Sequence, residues 1–163
     1  MLVIGIDPGT AITGFGIIDE SPDKSLHLVE HGVIRTSTGM NADQRLQILH
    51  EKLTDILHAH QPHCAAVEKL YFQRNVRTAL HVGQARGVIM LALAQNFVPV
   101  YEYNPMDVKL AVTGYGLAEK GQVQQMVKAL LCLEEIPRPD DAADALAIAI
   151  CHAHSARFTT LGT

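Results

Sequence analysis

The chain has 163 residues, 48% hydrophobic and 18% charged, with a formal net charge of −4. That is enough apolar mass for one core, and too much of it for a chain that stays disordered. No stretch approaches the ~18 uninterrupted apolar residues of a membrane span, and Met1-Leu-Val-Ile-Gly-Ile6 runs into Asp7 with no basic leader or cleavage site, so a cytoplasmic protein is expected.

Leu2–Ile6 reads as a short apolar strand, ended by Asp7 and the turn residues Pro8, Gly9 and Thr10. Thr13–Ile18 is a second strand, Glu20–Lys24 a polar turn, and a third strand lies within Leu26–Thr36. Short links between the three imply an antiparallel meander. The period then changes. Leu46, Leu49, Leu53, Ile56 and Leu57 recur at helical spacing, which predicts an amphipathic helix over 42–60. Pro62 ends it, and residues 64–68 return to a strand. Residues 75–96 form a long apolar helix and 97–103 a strand; Asn104 and Pro105 then cap a short helix reaching Val112. Gly114 and Gly116 break the chain before a helix over 119–133. An alanine-rich helix over 140–156 closes a single domain of residues 1–157, leaving 158–163 as a tail. The order predicts an α/β fold: a mixed five-stranded sheet, three strands antiparallel and then two parallel, with helices on both faces.

Charge is unevenly spread. Residues 1–68 carry 4 basic and 9 acidic groups, residues 69–128 carry 7 and 3, and residues 129–163 carry 2 and 5. A basic middle between acidic flanks fits an electrostatic footprint for a polyanion beside an acidic metal site, or an accident of composition. Cys64, Cys132 and Cys151 show no C-x-x-C spacing and read as buried reduced thiols. His58, His60 and His63, like His152 and His154, are poorly spaced for a metal and read as surface or capping residues.

Four carboxylates draw the chemistry together. Asp7 and Glu68 end strands, where a sheet of this kind presents side chains to ligands. Asp141 and Asp144 stand three apart on one helix, sharing a face. Singly, each has an ordinary explanation: Asp7 in a turn, Asp141 at a helix start favoured by the dipole. Jointly they are harder to dismiss, because Glu68 and Asp144 sit inside apolar runs where a carboxylate needs a partner. Two such charges ~4 Å apart at an effective dielectric of ~20 repel by roughly 4 kcal/mol. A hard divalent cation, Mg²⁺ or Mn²⁺, removes that cost. Two ions ~4 Å apart would clamp the attacking and leaving oxygens of a phosphodiester.

Ile4-Gly-Ile-Asp7-Pro-Gly-Thr10, Thr13-Gly-Phe-Gly16, Ala66-Val-Glu68, Gly83-Gln-Ala-Arg-Gly87 and Asp141-Ala-Ala-Asp144-Ala-Leu-Ala-Ile-Ala149 together resemble the RuvC family of bacterial Holliday junction resolvases, over about residues 2–154. The resemblance implies an RNase H-like fold and a homodimer on a four-way DNA junction. Each subunit is expected to nick one strand, symmetrically, leaving 5′-phosphate and 3′-hydroxyl ends. It implies Asp7, Glu68, Asp141 and Asp144 as catalytic metal ligands for two Mg²⁺ ions, or Mn²⁺, with Asp140 left to the helix start. Lys109 and Lys120 match basic positions near the active site, where a cation holds the scissile phosphate or balances charge in the transition state. Tyr71 matches an aromatic that stacks on bases at the junction centre, its alternative role, with Phe72, being that of a core aromatic. Arg74, Arg77 and Arg86 are expected on backbone phosphate, Arg86 having helix packing as its alternative. The family context also implies a branch-migration motor of the RuvA–RuvB type as a partner. Gly83 and Gly87 permit close helix approach, at a subunit interface or against the sheet.

Two other classes compete. Asp7-Pro-Gly-Thr10 also occurs in actin- and hexokinase-like ATP-binding lobes, which need a second lobe that 163 residues cannot hold. An RNase H-like RNA-processing factor of the YqgF type, or a non-catalytic junction-binding scaffold, is the remaining alternative, which the Asp141–Asp144 helix and the basic 69–86 segment disfavour.

Overall fold

The computed structural model describes residues 1–69 and 76–160, with the side chains of 76–78 and 157–160 excepted. Five strands, β1 (Leu2–Asp7), β2 (Ile12–Glu20), β3 (Leu26–Arg35), β4 (Cys64–Glu68) and β5 (Val100–Tyr103), form one sheet in the order β3-β2-β1-β4-β5. β1–β2 and β2–β3 pair antiparallel, β1–β4 and β4–β5 parallel. Helices α1 (Ala42–His60), α2 (Val76–Gln95), α3 (Pro105–Thr113), α4 (Lys120–Leu130) and α5 (Asp140–Thr160) complete the chain. None is long and apolar enough to cross a membrane, among the described residues. The mixed sheet with its antiparallel half followed by its parallel half is the architecture expected from the element order.

The pleat sorts the sheet's side chains into two cores. Ile4, Ile6, Phe15, Ile17, Ala65 and Val67 bury against α1 and α2. Val3, Ile18, Cys64 and Ala66 bury against α3, α4 and α5. By the same alternation Asp7 follows Val3 and Gly5 onto the α5 face, and Glu68 follows Cys64 and Ala66.

On that face α5 lies flush with the sheet, because the strands beneath it carry glycine. A Cβ at Gly5 would come within 2.0 Å of the Ala145 carbonyl oxygen, and one at Gly14 within 2.0 Å of that of Asp141. Gly14 is also the register partner of Asp7. The helix turn carrying Asp141 therefore sits over the strand pair that ends at Asp7.

Three boundaries differ from expectation. Phe97 has φ 57°, and the Phe97 and Val98 amides donate to the Ala94 and Leu93 carbonyls at 3.1 and 3.0 Å, so these residues close α2 and β5 begins at Val100. α4 ends at Leu130 by the same device: Cys132 has φ 52°, and the amides of Cys132 and Leu133 return to Ala129 and Lys128. That places Cys132 on the surface, against the expected burial, while Cys64 and Cys151 are buried. α5 runs to Thr160, so 158–160 of the expected tail are helical.

Gly5→Ala should lower unfolding free energy by about 1–3 kcal/mol, because the added methyl must push a helix backbone away. Chemical denaturation measures it; an unchanged midpoint would show that α5 is not seated by that contact.

Candidate active site

Asp7 is held by a rigid turn. The Thr13 hydroxyl, almost fully buried, donates to the Gly9 carbonyl at 2.6 Å, and the Thr36 hydroxyl donates to the Thr10 carbonyl at 2.6 Å. Thr13 entered the sequence reading only as a strand start and within the Thr13–Gly16 motif, and Thr36 only as a strand end, since a lone hydroxyl in a strand carries no signal. Glu68 is the last residue of β4, and the next amide, Lys69, donates to the Tyr103 carbonyl at 2.8 Å. Asp144 projects from α5 one turn past Asp141.

Asp7, Glu68 and Asp144 line one cleft of about 230 Å³, with Lys109 from α3 and Lys120 from the start of α4. Asp141 is not among the lining residues, but it acts electrostatically on both Asp7 and Asp144. Apolar side chains, including Val108, Val123 and Ile148, line the rest of the cleft. These were not recognised as site residues in the sequence, since their spacing is that of any core-facing helix. Lys120 Nζ donates to Asp144 Oδ2 at 2.9 Å and stands 3.4 Å from Asp140 Oδ2. Asp140, expected only to start the helix, also accepts from Arg138 at 2.8 Å.

Electrostatics mark Asp7 as the centre. Burial, then the charges of Glu68, Asp144 and Asp141, push its carboxyl up to about 7, opposed by Lys120. Burial and Asp144 raise Glu68 as well. Burial raises Asp144, with its bond to Lys120 pulling the other way. Burial of anions without compensation is costly, and a cation is the direct remedy. The donors suit a hard one: carboxylate oxygens face the cleft, and no histidine or cysteine lines it among the described residues. The carboxylates line the cleft rather than close on one point, and no group of three or more metal-ligating side chains is gathered among the described residues.

The remaining expectations separate. Arg86 forms an ion pair with Glu102 of β5, in line with the packing alternative. Arg77 lies in the first turn of α2, its side chain not described. Tyr71, Phe72 and Arg74 lie outside the described residues. His60 pairs with Glu30 at 2.7 Å, and His63 accepts the Leu2 amide at 2.9 Å. His152 overturns the surface expectation: it is buried against Cys64 and Tyr103. Its place on the inward face of a nearly all-apolar helix is the reason.

Asp7 binds its proton more tightly folded than unfolded, so stability is withdrawn as pH rises from 3.8 through 7, and the full cost is present above that range. In metal-free buffer, Asp7→Asn should therefore stabilise the protein at pH 8 by on the order of 2–4 kcal/mol, with the gain fading towards pH 4. Thermal melts across that range check this, and an equal gain at both ends would contradict it.

Comparison with known proteins agrees with this geometry. The family profile "Crossover junction endodeoxyribonuclease RuvC" matches residues 3–152. The RuvC of Pelotomaculum thermopropionicum is 56% identical over 154 residues, 94% of this chain and 93% of that protein. The RuvC of Desulfitobacterium hafniense is 56% identical over 155 residues, covering 95% and 93%. Among solved structures, Thermus thermophilus RuvC in complex with a Holliday junction substrate superposes with a TM-score of 0.90 at 38% identity, over 98% of both chains. The yeast mitochondrial Holliday junction resolvase Ydc2 shares the fold at TM-score 0.70 and 16% identity, over 97% of this chain and 80% of that one. The chain belongs to the RuvC family of crossover junction endodeoxyribonucleases.

Proposed function

We propose that this endodeoxyribonuclease resolves four-way DNA junctions in the cytoplasm by paired symmetric nicks, with Asp7, Glu68, Asp141 and Asp144 holding two Mg²⁺ ions. The observation that carries the proposal is one cleft lined by Asp7, Glu68 and Asp144 together with two lysines. Divalent ions, when bound, supply charge neutralisation and polarise the phosphodiester towards attack by water. The chain's own groups do the rest. Asp7, at the centre of the acidic field, would hold the ions. Glu68 and Asp144, which line the same cleft, would complete the coordination and orient the attacking water for in-line displacement, and Asp141 would ligate the second ion. Water's oxygen would bond phosphorus as the P–O3′ bond breaks; it stays on the 5′-phosphate, water's proton is released to solvent, and the departing 3′-oxygen takes up a proton to become the 3′-hydroxyl.

Lys109 and Lys120 supply positive charge where the scissile phosphate would lie. Lys120 has a second role while DNA is absent: its ammonium screens Asp144. Arriving phosphate competes for the same ammonium, so substrate binding frees Asp144 for a metal. Tyr71 and Arg74 belong to the same proposal as a base-stacking aromatic and a phosphate contact, and Arg77 as a second phosphate contact.

Two nicks related by symmetry need two copies. α2 supports a homodimer, because Leu80 and Leu91 are exposed on one helical stripe, and a Cβ at Gly87 between them would meet nothing within 4 Å. The glycine thus serves approach from outside rather than packing on the sheet. A motor of the RuvA–RuvB type that delivers the junction completes the proposal on family grounds alone.

Asp7→Asn should lower the rate of junction cleavage in Mg²⁺ by about 10²–10³-fold or more while leaving junction binding intact. Gel shift and single-turnover cleavage with mapped nicks measure both; a wild-type rate would refute the assignment. Leu91→Glu should shift the chain towards monomer in sedimentation, and an unchanged dimer would place the interface elsewhere.

A further inference from the structure

β5 is the sheet's edge strand, four residues long, laddered to β4 on one side only. Short edge strands are the least restrained parts of a sheet. Yet this one flanks Glu68, whose register partner is Tyr103 and whose following amide bonds the Tyr103 carbonyl. Any drift of Tyr103 therefore moves the backbone of a proposed metal ligand.

Tyr103 is tied down from the other direction. Its hydroxyl lies 2.8 Å from His152 Nδ1 on α5 and also bonds the side chain of Ser155. The same imidazole reaches Cys64 Sγ with Nε2 at 3.2 Å, and the ring of Tyr101 stacks against it at 4.4 Å between centroids. One buried ring thus engages the first residue of β4 and two residues of β5 at once. A neutral imidazole has one donor and one acceptor nitrogen, and both are used here. His152 stands eight residues after Asp144 on the same helix, roughly two turns along the same face.

We propose that Tyr103 and His152 are positioning residues: their hydrogen bond clamps the β4–β5 edge to α5 and so fixes Glu68 relative to Asp144. Nothing else in the cluster offers a chemical role. Burial pushes the Cys64 thiol up to about 11, and neither Cys64 nor His152 lines the cleft. What the cluster has is geometry, linking β4, which delivers Glu68, to α5, which delivers Asp141 and Asp144. The inference rests on the proposed metal role of those carboxylates, and its test separates the two.

The measurement is Mn²⁺ affinity by calorimetry on the intact, DNA-free protein. Groups that orient metal ligands are worth about 10–100-fold in affinity when they touch the ligand, so a clamp acting through backbone should be worth somewhat less, about 5-fold. Tyr103→Phe should weaken Mn²⁺ binding by that factor. His152→Asn, which keeps a polar partner near the tyrosine hydroxyl, should retain more affinity than His152→Leu. Leu57→Ala, buried in the opposite core, should lower the melting temperature without changing Mn²⁺ affinity. Wild-type affinity in Tyr103→Phe, or an equal loss in Leu57→Ala, overturns the clamp alone. Undiminished binding in Asp7→Asn would sink the metal site itself, and the clamp with it.

Discussion

A helix can lie flush on a β-sheet only where the sheet offers it no side chains, and Gly5 and Gly14 make that bare track under α5. The rest of the site depends on this contact. With a larger residue at either position the helix would stand off, and Asp141 and Asp144 would retreat from the strand ends. Because Gly14 pairs with Asp7, the closest approach falls beside the carboxylate that needs company. Fold and chemistry share one steric fact.

The cost of that proximity is electrostatic. Asp7 is pushed to about 7 by burial and by three neighbouring carboxylates, so the fold spends stability to hold them together. Such a cluster is favourable only with cations, since any ligand that binds the folded state alone returns stability by mass action. Lys120, bonded to Asp144 from the start of α4, offsets part of the cost, and the threonine-pinned turn after β1 prevents relaxation by movement of Asp7. Strain of this kind belongs to binding sites, where local consistency is given up for function.

Much of this was legible in the chain itself. Hydrophobic period separated α1 from the strands before it at the observed boundaries, 42–60, and short apolar runs bounded by turn residues were enough to put Asp7 and Glu68 at strand ends. The pairing of Lys120 with Asp144 and Asp140 was not legible as a geometry, because it joins residues 24 and 20 positions apart through tertiary packing. His152 was misjudged for a related reason. A histidine's periodicity cannot say whether its two nitrogens have buried partners, and here Tyr103 and Cys64 supply them from two strands. Cys132 and Phe97 failed differently: each sits in a left-handed turn closing a helix, without the glycine or asparagine that ordinarily announces one.

The account's central claim is that these acidic groups, far apart in sequence, form one cation-filled pocket. Anomalous diffraction from crystals grown with Mn²⁺ tests it most directly. Two peaks about 4 Å apart, both within coordinating distance of Asp7, are predicted. Crystals saturated with Mn²⁺ that show density only at surface histidines, and none beside Asp7, would contradict it.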